Sequence, residues 1–554
     1  MSAAGSVADA LVRAAHSRCG IRAIEHDGAS LLLSYDALLT DSLRIAGALH
    51  ARGLAPGDRV ALVIPEVADF LRAFFGISAA GLVPVPLCPP AQAGDLATFA
   101  RQSQHILAAS RAGALIASDT VAPLLDEGQT NRNTPILTID RLRGGDALSQ
   151  PVAVSPNATA LLQFTSGSTA APKGVVLSHA NLAANVAAIT GPCGLDVKPT
   201  DVGVSWLPLY HDMGLIGMLL SAVYSRADTT IMSPVLFLKR PTAWLEAIST
   251  YRATVSFAPN FAYELCLRRA KPSQVDALDL SCWRAAGCGA EPIRSDSLAA
   301  FAERFAGAGF RASSFLACYG LAEHSLAVTF ATNGITVDTV DADGLVRRSI
   351  AAPGVLESTQ VVRLVSCGRP FPGHEVRIVD DAGRQLPDRH VGTIIARGPS
   401  VMQGYFEDPV ATAETLRDGW LHTGDIGYMA NGQLYVCGRT KELIIRQGRK
   451  YHPPDLESAI AGVPGVRPSG VVVFGINRLS AGDEVVAVLE ARASATADDV
   501  VDQVRRRVRE TAGLELDSVV IAPLGTIPRT TSGKVRRAET RDRLEAGTLT
   551  AHKS

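Results

Sequence analysis

The chain has 554 residues, of which 47% are hydrophobic and 5% aromatic, and its formal net charge is −1. This length excludes a single small domain and predicts two to four folded units with an ordinary globular composition. The nearly balanced charge lacks the basic excess that a nucleic-acid-binding surface requires, so we expect no nucleic-acid partner.

Hydrophobic patterning and cysteine usage narrow the class of protein further. No apolar run reaches the roughly 18 residues of a membrane-spanning helix, so we expect no integral membrane association. Residues 1–15 lack the basic start and long apolar core of a signal peptide. The nine cysteines form no C-x-x-C pair, which predicts free thiols and argues against a zinc site. We therefore expect a cytoplasmic protein, and a monomer.

The N-terminal third of the chain alternates helix and strand. Ser34 is placed to cap a helix that continues to about Ala51. An apolar strand over 59–64 is followed by a helix over 66–80 and by a second strand over 82–87. This β-α-β unit predicts an α/β fold with a mostly parallel sheet that is covered by helices.

The same alternation continues through the middle of the chain. The predicted strands lie at residues 158–164, 202–206, 253–257 and 315–317, and the predicted helices lie at residues 181–189, 242–249 and 296–305. From about Val361, short strands separated by Gly, Pro and Asp turns predict a small antiparallel, barrel-like unit. Its strands are predicted at residues 375–379, 392–396 and 433–436.

Beyond Gly438 the pattern returns to mixed α/β order. The predicted elements are helices at residues 454–461 and 498–511 and strands at residues 471–474 and 484–489. This change of pattern predicts an N-terminal domain over residues 1–438 and a small C-terminal domain over residues 439–554.

A small-residue, hydroxyl-rich loop follows the predicted strand at 158–164 and closes on Lys173 and Gly174. Its backbone N–H groups, its hydroxyls and one ammonium can surround a triphosphate. The loop is not the common P-loop, which needs G-x-x-x-x-G-K-[ST]. A Ser/Gly-rich surface turn is the alternative interpretation.

Three other segments carry residue types that suit nucleotide or acyl-group chemistry. In residues 206–215, Tyr210 and His211 precede Gly-Leu-Ile-Gly, which can line a slot where an acyl chain meets a phosphate. The small residues of 286–292 end an apolar run and let a flat ring approach the backbone. Asp425 lies in a turn, where a carboxylate can accept hydrogen bonds from both hydroxyls of a ribose. The alternatives are a structural histidine, a plain strand-to-helix turn and a turn-capping aspartate.

Lys534 closes a second loop rich in Thr, Ser and Gly, at residues 527–535. Such a loop can deliver an ammonium to a reacting centre, where preorganised positive charge is typically worth several kcal/mol. A charged lysine near the chain end, without a catalytic role, is the alternative.

Taken together and in this order, the motifs resemble those of the adenylate-forming superfamily of AMP-dependent synthetases and ligases. Within it, the chain is most similar to the fatty acyl-AMP ligases. The resemblance implies a large N-terminal domain, with two α/β sheet subdomains and a small β-barrel, and a small mobile α+β C-terminal domain. It also implies that ATP and a fatty acid give acyl-AMP and pyrophosphate.

The resemblance further implies where the acyl group goes and which cofactors take part. The acceptor would be the phosphopantetheine thiol of an acyl carrier protein, or of a carrier domain of a polyketide or nonribosomal peptide synthase. The cofactors would be ATP and Mg²⁺. An acyl-CoA ligase is the alternative within the superfamily. A non-catalytic lipid- or nucleotide-binding scaffold is an alternative from another class, and it predicts loss of Lys534, Glu323 or Asp425, all of which are present.

Residue roles are carried over from the family by matching the motifs. The loop that holds the β- and γ-phosphates comprises Thr165, Ser166, Gly167, Ser168, Thr169 and Lys173. The adenine segment comprises Gly289, Ala290 and Glu291, together with Tyr319, which would stack on the ring, Gly320 and Ala322. The groups nearer the reaction are Glu323 as the Mg²⁺ ligand, His211 beside the carboxylate and α-phosphate, and Lys534 as the adenylation lysine. Asp425 and Arg439 would bind the ribose, and Lys441 matches the hinge position.

The chain departs from the family pattern at a few positions. Ala170 stands where relatives usually carry glycine. Ala322 stands where many acyl-CoA ligases carry threonine, and alanine is similar to the acyl-AMP ligase pattern. His324 stands where the acyl-AMP ligases often have a small residue, and the sequence leaves its role open.

Residues 333–366 form a long polar segment that acyl-CoA ligases usually cross with far fewer residues. The segment is similar to the acyl-AMP ligase insertion that packs against the hinge and opposes the domain swing needed for CoA transfer. A tolerated surface loop is the alternative. The basic clusters at 505–507 and 536–537 are candidates for docking an acidic carrier protein, although such runs are more often solvated helix faces.

Overall fold

The computed structural model describes most of the chain. The described residues are 5–90, 96–127, 134–165, 172–332, 334–355, 361–446, 449–478, 482–491, 497–529, 535–549 and 552–553. The predictions for Ser166, Gly167, Ser168, Thr169 and Lys534 therefore concern residues outside the described ranges.

The strands up to the predicted insertion's end are β1 Gly20–Ile24, β2 Ser30–Ser34, β3 Arg59–Val63, β4 Val83–Pro86, β5 Ala114–Ala117, β6 Ile136–Thr138, β7 Thr159–Thr165, β8 Lys173–Ser178, β9 Val202–Ser205, β10 Asp228–Met232, β11 Val255–Ala258, β12 Ala285–Cys288, β13 Phe315–Gly320, β14 Ala327–Phe330, β15 Val337–Asp341 and β16 Val361–Val365. The remaining strands are β17 Arg369–Pro370, β18 Glu375–Val379, β19 Gly392–Arg397, β20 Gly404–Tyr405, β21 Leu416–Arg417, β22 Trp420–Ala430, β23 Gln433–Arg439, β24 Ile444–Arg446, β25 Arg449–Tyr451, β26 Val466–Arg478, β27 Gly482–Ala491, β28 Ser518–Ala522 and β29 His552–Lys553.

The α-helices are α1 Val7–Ala15, α2 Tyr35–His50, α3 Val67–Ala79, α4 Leu96–Ser110, α5 Ala122–Glu127, α6 Ile139–Arg143, α7 His179–Thr190, α8 Ser221–Ser225, α9 Pro234–Lys239, α10 Thr242–Thr250, α11 Asn260–Arg269, α12 Pro272–Asp276, α13 Ser295–Phe305, α14 Ala342–Arg348, α15 Pro409–Thr415, α16 Pro453–Ala461, α17 Ala497–Ala512 and α18 Arg537–Glu545. A π-helix spans Met213–Leu220, and short 3-10 turns include Ala322–His324 and Thr440–Glu442.

The predicted N-terminal β-α-β unit is present. The Ser34 hydroxyl accepts a hydrogen bond of 3.1 Å from the Ala37 N–H, so it caps α2 as expected. The helix α3 joins β3 to β4, and these two strands pair in parallel. They belong to a four-stranded sheet in the order β4-β3-β5-β6, whose pairings are all parallel.

The largest sheet has nine strands in the order β17-β14-β13-β12-β11-β9-β10-β1-β2. Its inner strands from β13 to β1 pair in parallel, whereas β2, β14 and β17 pair antiparallel at its ends. Strands β9, β12 and β13 end at Ser205, Cys288 and Gly320, so the segments that follow them meet at one edge of the sheet. Ligands of open α/β sheets bind at this carboxyl edge.

The unit predicted as a small barrel is antiparallel, as expected. Strands β18, β19, β22 and β21 pair in that order, and β23 pairs with β22. Among the described residues, the strands at the two ends of this order do not pair with each other, so the unit is an open five-stranded antiparallel sheet. It places Asp425 on β22 directly opposite Arg439 on β23.

The predicted insertion, residues 333–366, has secondary structure of its own. Strands β15 and β16 form an antiparallel pair, and α14 lies between them. Asp341 caps α14 by accepting a hydrogen bond of 2.7 Å from the Gly344 N–H. The segment is therefore a folded hairpin with a short helix.

The C-terminal part contains the sheet β26-β27-β28-β29. One hydrophobic core packs α16 and α17 on this sheet, and a second core lies on its other side. All of the buried residues of both cores lie at or after Ile444 in the chain. The chain thus has a large N-terminal domain and a C-terminal domain. In the described part of the chain, none of the helices has both the length and the apolar character needed to cross a membrane.

Candidate active site

A cavity of about 1430 Å³ lies between the carboxyl edge of the large sheet, the antiparallel sheet and the C-terminal domain. The sequence-predicted site residues that line it are Thr165, His211, Ala290, Glu291, Tyr319, Gly320, Ala322, Glu323, Asp425 and Arg439. Residues from segments far apart in sequence thus meet in one space, because the segments after β9, β12 and β13 lie at one edge of the large sheet and β7, β22 and β23 add residues from two other sheets.

Two neighbouring side chains hold the Asp425 carboxylate in place in this cavity. Its Oδ2 accepts a hydrogen bond of 2.7 Å from the Tyr319 hydroxyl, and its Oδ1 lies 3.3 Å from Nε of Arg439. The Asp425 carboxylate raises the pKa of Arg439, and burial raises the pKa of Tyr319, so the phenol stays a neutral donor. A buried carboxylate of this kind can bind the two hydroxyls of a ribose.

The segment after β12 brings its backbone close to β13. A Cβ atom on Gly289 would lie 2.5 Å from the Cys318 Sγ, so only glycine fits there. Ala290 has φ of +67°, a left-handed conformation that is unusual for alanine. The Glu291 carboxylate accepts a hydrogen bond of 2.7 Å from the Phe261 N–H, which anchors the start of α11. Because Gly289 and Ala290 pack closely and carry little or no side chain, space remains in the cavity for a flat ring.

The two residues that flank the predicted phosphate loop are paired with each other. Thr165 and Lys173 lie opposite each other in the antiparallel pair of β7 and β8. The Lys173 ammonium lies 4.9 Å from the centre of the Tyr405 ring, within the range of a cation–π interaction. Both ends of the predicted phosphate loop are therefore held together by strand pairing.

Glu323 lies in the 3-10 turn Ala322–His324. Its Oε1 accepts a hydrogen bond of 2.8 Å from the Tyr405 hydroxyl, and its backbone carbonyl accepts one of 2.9 Å from the Met402 N–H. Burial raises the pKa of Glu323, while the Tyr405 hydrogen bond opposes that shift. In the part of the chain that the structure describes, no group of three or more His, Cys, Asp or Glu side chains could hold a metal ion.

His324, whose role the sequence leaves open, is the last residue of this turn and is fully buried. Its Nδ1 lies 3.0 Å from the Ala327 carbonyl oxygen, and the Asn185 amide donates hydrogen bonds to the carbonyls of both His324 and Ala327. Burial lowers the pKa of His324 to about 3, so the imidazole is neutral near pH 7. His324 therefore supports the turn that presents Glu323.

His211 also lines the cavity, two residues before the π-helix begins. Its Nδ1 lies 2.6 Å from the Asp212 Oδ1, which fixes the orientation of the ring. The Gln163 amide donates a hydrogen bond of 2.9 Å to the Tyr210 carbonyl and so ties this segment to β7. The Asp212 contact thus orients the His211 ring, and the Gln163 contact holds the backbone next to it.

The same cavity has an apolar wall. Its large apolar lining residues include Ile189, Met213, Phe257, Phe261, Leu326 and Phe330. Behind Phe261, the Trp206 ring stacks on Phe237 with ring centres 3.8 Å apart. The cavity therefore offers an apolar surface next to polar side chains such as Asp425 and Glu323.

Both chain segments that flank Lys534 reach this cavity, since Arg529 and Val535 line it. On the N-terminal side, the buried Glu490 accepts hydrogen bonds from the N–H groups of Gly525 and Ile527, at 2.9 and 3.1 Å. Arg467 pairs with the same carboxylate at 2.6 Å.

On the C-terminal side, the Arg537 guanidinium is largely buried, with 14% of its side chain exposed. It pairs with Glu442, next to the predicted hinge residue Lys441, and with Glu457 at 2.8 Å. Arg537 is thus engaged inside the protein, so it is not the surface residue that carrier docking at residues 536–537 requires. Lys441 itself is exposed.

A profile of the AMP-binding enzyme family matches residues 11–406. The chain belongs to this family. A solved structure from a study of fatty acyl-adenylate ligases of E. coli and L. pneumophila is 36% identical, with a TM-score of 0.93 and 98% of each chain covered. The resemblance to fatty acyl-AMP ligases that the motifs indicate, and the adenylate-forming fold that it implies, are confirmed.

Two curated relatives extend the comparison of this AMP-binding enzyme. A Caulobacter vibrioides protein with the provisional name acyl-CoA synthetase is 37% identical over 93% of this chain and 91% of its own length. The medium-chain-fatty-acid–[acyl-carrier-protein] ligase JamA of Moorena producens is 34% identical over 93% of this chain and 90% of its own length.

Sequence reasoning missed two residues at the site of this AMP-binding enzyme, namely Tyr405, which contacts the cavity residue Glu323, and Asp455, which lines the cavity. Tyr405 follows Lys173 by more than two hundred residues, and only the pairing of β20 with β8 brings the two together. Asp455 lines the cavity from α16, and burial together with the nearby Glu457 raises its pKa to about 7. A tyrosine after a glycine and an acidic residue in the first turn of a helix are common patterns, so neither carried a signal.

Proposed function

We propose that this enzyme joins a fatty acid to AMP with release of pyrophosphate and then passes the acyl group to the phosphopantetheine thiol of a carrier protein. The observation that carries the proposal is the single cavity in which Asp425, Tyr319 and Glu323 face an apolar wall. A nucleotide and an acyl chain can therefore lie end to end in it. The solved fatty acyl-adenylate ligase structure supports the same reaction.

The chemistry of adenylation is mostly positioning and charge neutralisation. A fatty carboxylate is already ionised at pH 7, so it attacks the α-phosphate without a general base. Lys534 neutralises the negative charge that develops at the carboxylate oxygen and the α-phosphate. Lys173 neutralises charge on the departing pyrophosphate, and His211 lies where the carboxylate meets the α-phosphate.

Mg²⁺ fits the site through Glu323. A single carboxylate that completes its coordination with phosphate oxygens and water is a usual Mg²⁺ site, and Glu323 presents such a carboxylate. When bound, the ion supplies neutralising charge to the triphosphate.

The other roles that we propose concern nucleotide binding and the domain division. Asp425 and Arg439 bind the ribose. Residues 165–169 with Lys173 bind the β- and γ-phosphates. The adenine contacts are Gly289, Ala290, Glu291, Tyr319, Gly320 and Ala322. We place the domain boundary between residues 438 and 439, with Lys441 as the hinge, because the first of the two C-terminal cores begins at Ile444 and the second at Val472.

The contacts of the insertion favour a carrier protein as the acyl acceptor. Asp338 on β15 accepts hydrogen bonds from the Tyr428 hydroxyl at 2.7 Å and from Arg389 at 3.1 Å, which fastens the insertion to the N-terminal domain. Val346 on α14 packs against the C-terminal core that includes Tyr451. A contact from one domain to the other restrains the swing that CoA transfer would need.

An acyl-CoA ligase remains the second candidate, and the name of the Caulobacter relative favours it. The name of JamA favours a carrier-protein acceptor. The two activities predict different products from the same mixture.

The test is mass spectrometry of a reaction that contains ATP, Mg²⁺, fatty acids of several chain lengths and excess CoA, without a carrier protein. Accumulation of acyl-AMP without acyl-CoA is the expected result, and it also shows the preferred chain length. Abundant acyl-CoA would assign the enzyme to the second candidate. Absence of both products would refute adenylation.

A further inference from the structure

Tyr405 contacts both of the oppositely charged groups that we assign to the triphosphate and its metal. Its hydroxyl donates a hydrogen bond of 2.8 Å to Oε1 of Glu323. The face of its ring receives the Lys173 ammonium, 4.9 Å from the ring centre. One side chain thus lies between an anion and a cation.

The Tyr405 backbone is firmly held. Strand β20 pairs with β8, with Tyr405 opposite Val175, two residues after Lys173. The Tyr405 N–H donates a hydrogen bond of 2.9 Å to the Thr412 hydroxyl. The neighbouring Phe406 and Met402 N–H groups donate to the carbonyls of Gly174 and Glu323, at 2.8 and 2.9 Å. The segment around Tyr405 therefore crosses from the lysine strand to the Glu323 turn.

Lys173 and Glu323 do not pair with each other. Each of them contacts Tyr405 instead, Lys173 at the ring face and Glu323 at the hydroxyl. In a partly desolvated cleft, an ammonium and a carboxylate attract each other strongly. An ion pair between them would occupy the two charges that a triphosphate and its metal need.

We propose that Tyr405 is a positioning residue that holds Glu323 and Lys173 apart, so that both stay available to Mg²⁺ and the triphosphate. The hydroxyl donates a hydrogen bond to the carboxylate, and the ring face forms a cation–π interaction with the ammonium. The inference rests on the roles that the proposed function gives to Lys173 and Glu323.

The experiment is calorimetric binding of a non-hydrolysable ATP analogue to the full-length protein, first in EDTA and then over a range of Mg²⁺ concentrations. Tyr405→Leu removes both contacts, so we expect Lys173 and Glu323 to form an ion pair in this variant. We expect the metal-free affinity for the analogue to fall about tenfold. Adding Glu323→Gln to Tyr405→Leu removes the partner charge, so the metal-free affinity returns towards the wild-type value.

Tyr405→Phe keeps the ring and removes only the hydroxyl. We expect its metal-free affinity to match the wild type, while the half-saturating Mg²⁺ concentration rises about three- to tenfold. Tyr35→Phe is the matched control, because its hydroxyl donates to the Ala227 carbonyl elsewhere in the domain. This control should leave both binding parameters unchanged.

Two results would overturn the inference. One is wild-type binding by both Tyr405 variants. The other is a loss in Tyr405→Leu that the added Glu323→Gln does not reverse, since a merely structural defect would persist. If Tyr405→Leu does not fold, the Mg²⁺ dependence of Tyr405→Phe decides the matter. Formation of acyl-AMP by the wild-type protein tests the proposed function separately, so the two failures are distinguishable.

Discussion

Asp425 and Glu323 each accept a hydrogen bond from a tyrosine that comes from another part of the chain. Tyr319 holds Asp425 and Tyr405 holds Glu323, at 2.7 and 2.8 Å. A carboxylate held in this way loses little freedom when its ligand arrives, so less of the binding free energy goes into ordering it. Individual residues of the cavity are therefore preorganised before a nucleotide binds.

Lys534 provides the sharpest prediction for a single residue. Lys534→Ala removes the charge that we assign to the transition state, so pyrophosphate release should fall about 10²- to 10³-fold while ATP affinity changes little. The measurements are a coupled pyrophosphate assay and calorimetric ATP binding. Lys239→Ala, at an exposed lysine at the end of α9, is the control and should behave as the wild type. Near-normal pyrophosphate release from Lys534→Ala would refute the assignment.

The insertion shows how one element can connect the two domains. Its strands are fastened to the N-terminal domain through Asp338, and α14 presents Val346 to the C-terminal core. An apolar contact of this size is worth about 1–2 kcal/mol, enough to shift a domain equilibrium about tenfold.

Val346→Asp places a charge in that contact and should weaken it. We expect acyl-CoA formation in the presence of CoA to rise about tenfold, while acyl-AMP formation is retained. The measurement is the ratio of the two products by mass spectrometry. Val355→Asp, at an insertion residue that is 67% exposed, is the matched control. An unchanged product ratio in Val346→Asp would mean that this contact does not decide the acceptor.

Local patterns in the sequence predicted individual elements well. The cap at Ser34, the β-α-β unit and the short strands of the antiparallel sheet lie within a few residues of their predicted bounds, because caps, turns and apolar runs are local signals. Several predicted site residues line one cavity, and motifs such as those after β9, β12 and β13 could be recognised because they follow strands. Contacts such as Tyr405 with Lys173 depend on which distant strands pair, and no local pattern encodes that.

At the scale of the whole molecule, the two domains share the cavity, and the C-terminal domain contributes acidic groups to it. Asp455 and Glu457 on α16 both line the cavity, and Glu457 pairs with Arg537. Burial and the Glu457 charge raise the pKa of Asp455 to about 7, well above its ordinary value of 3.8. The folded protein thus binds a proton at Asp455 that the unfolded chain releases at a lower pH.

This shift predicts how stability depends on pH. Because the folded state holds the Asp455 proton more tightly, its contribution to stability is fully present below about pH 4 and is lost as the pH rises to about 7. Asp455→Asn has no carboxyl group to ionise, so it does not lose this stability as the pH rises. At pH 8 its thermal midpoint should therefore exceed that of the wild type by about 2–6 °C. The measurement is a set of thermal unfolding curves between pH 5 and pH 8.

Asp381→Asn, which removes an exposed carboxylate, is the control for that experiment. It should follow the wild-type pH dependence. A wild-type midpoint at pH 8 in Asp455→Asn would show that Asp455 ionises freely in the folded protein.

The segments on either side of Lys534 are anchored by charged side chains of the C-terminal domain. Glu490 fixes the chain at Ile527, and the pairs with Glu442 and Glu457 fix it at Arg537. Because these contacts are already formed, keeping Ile527 and Arg537 in place costs no further conformational entropy when a ligand enters the cavity.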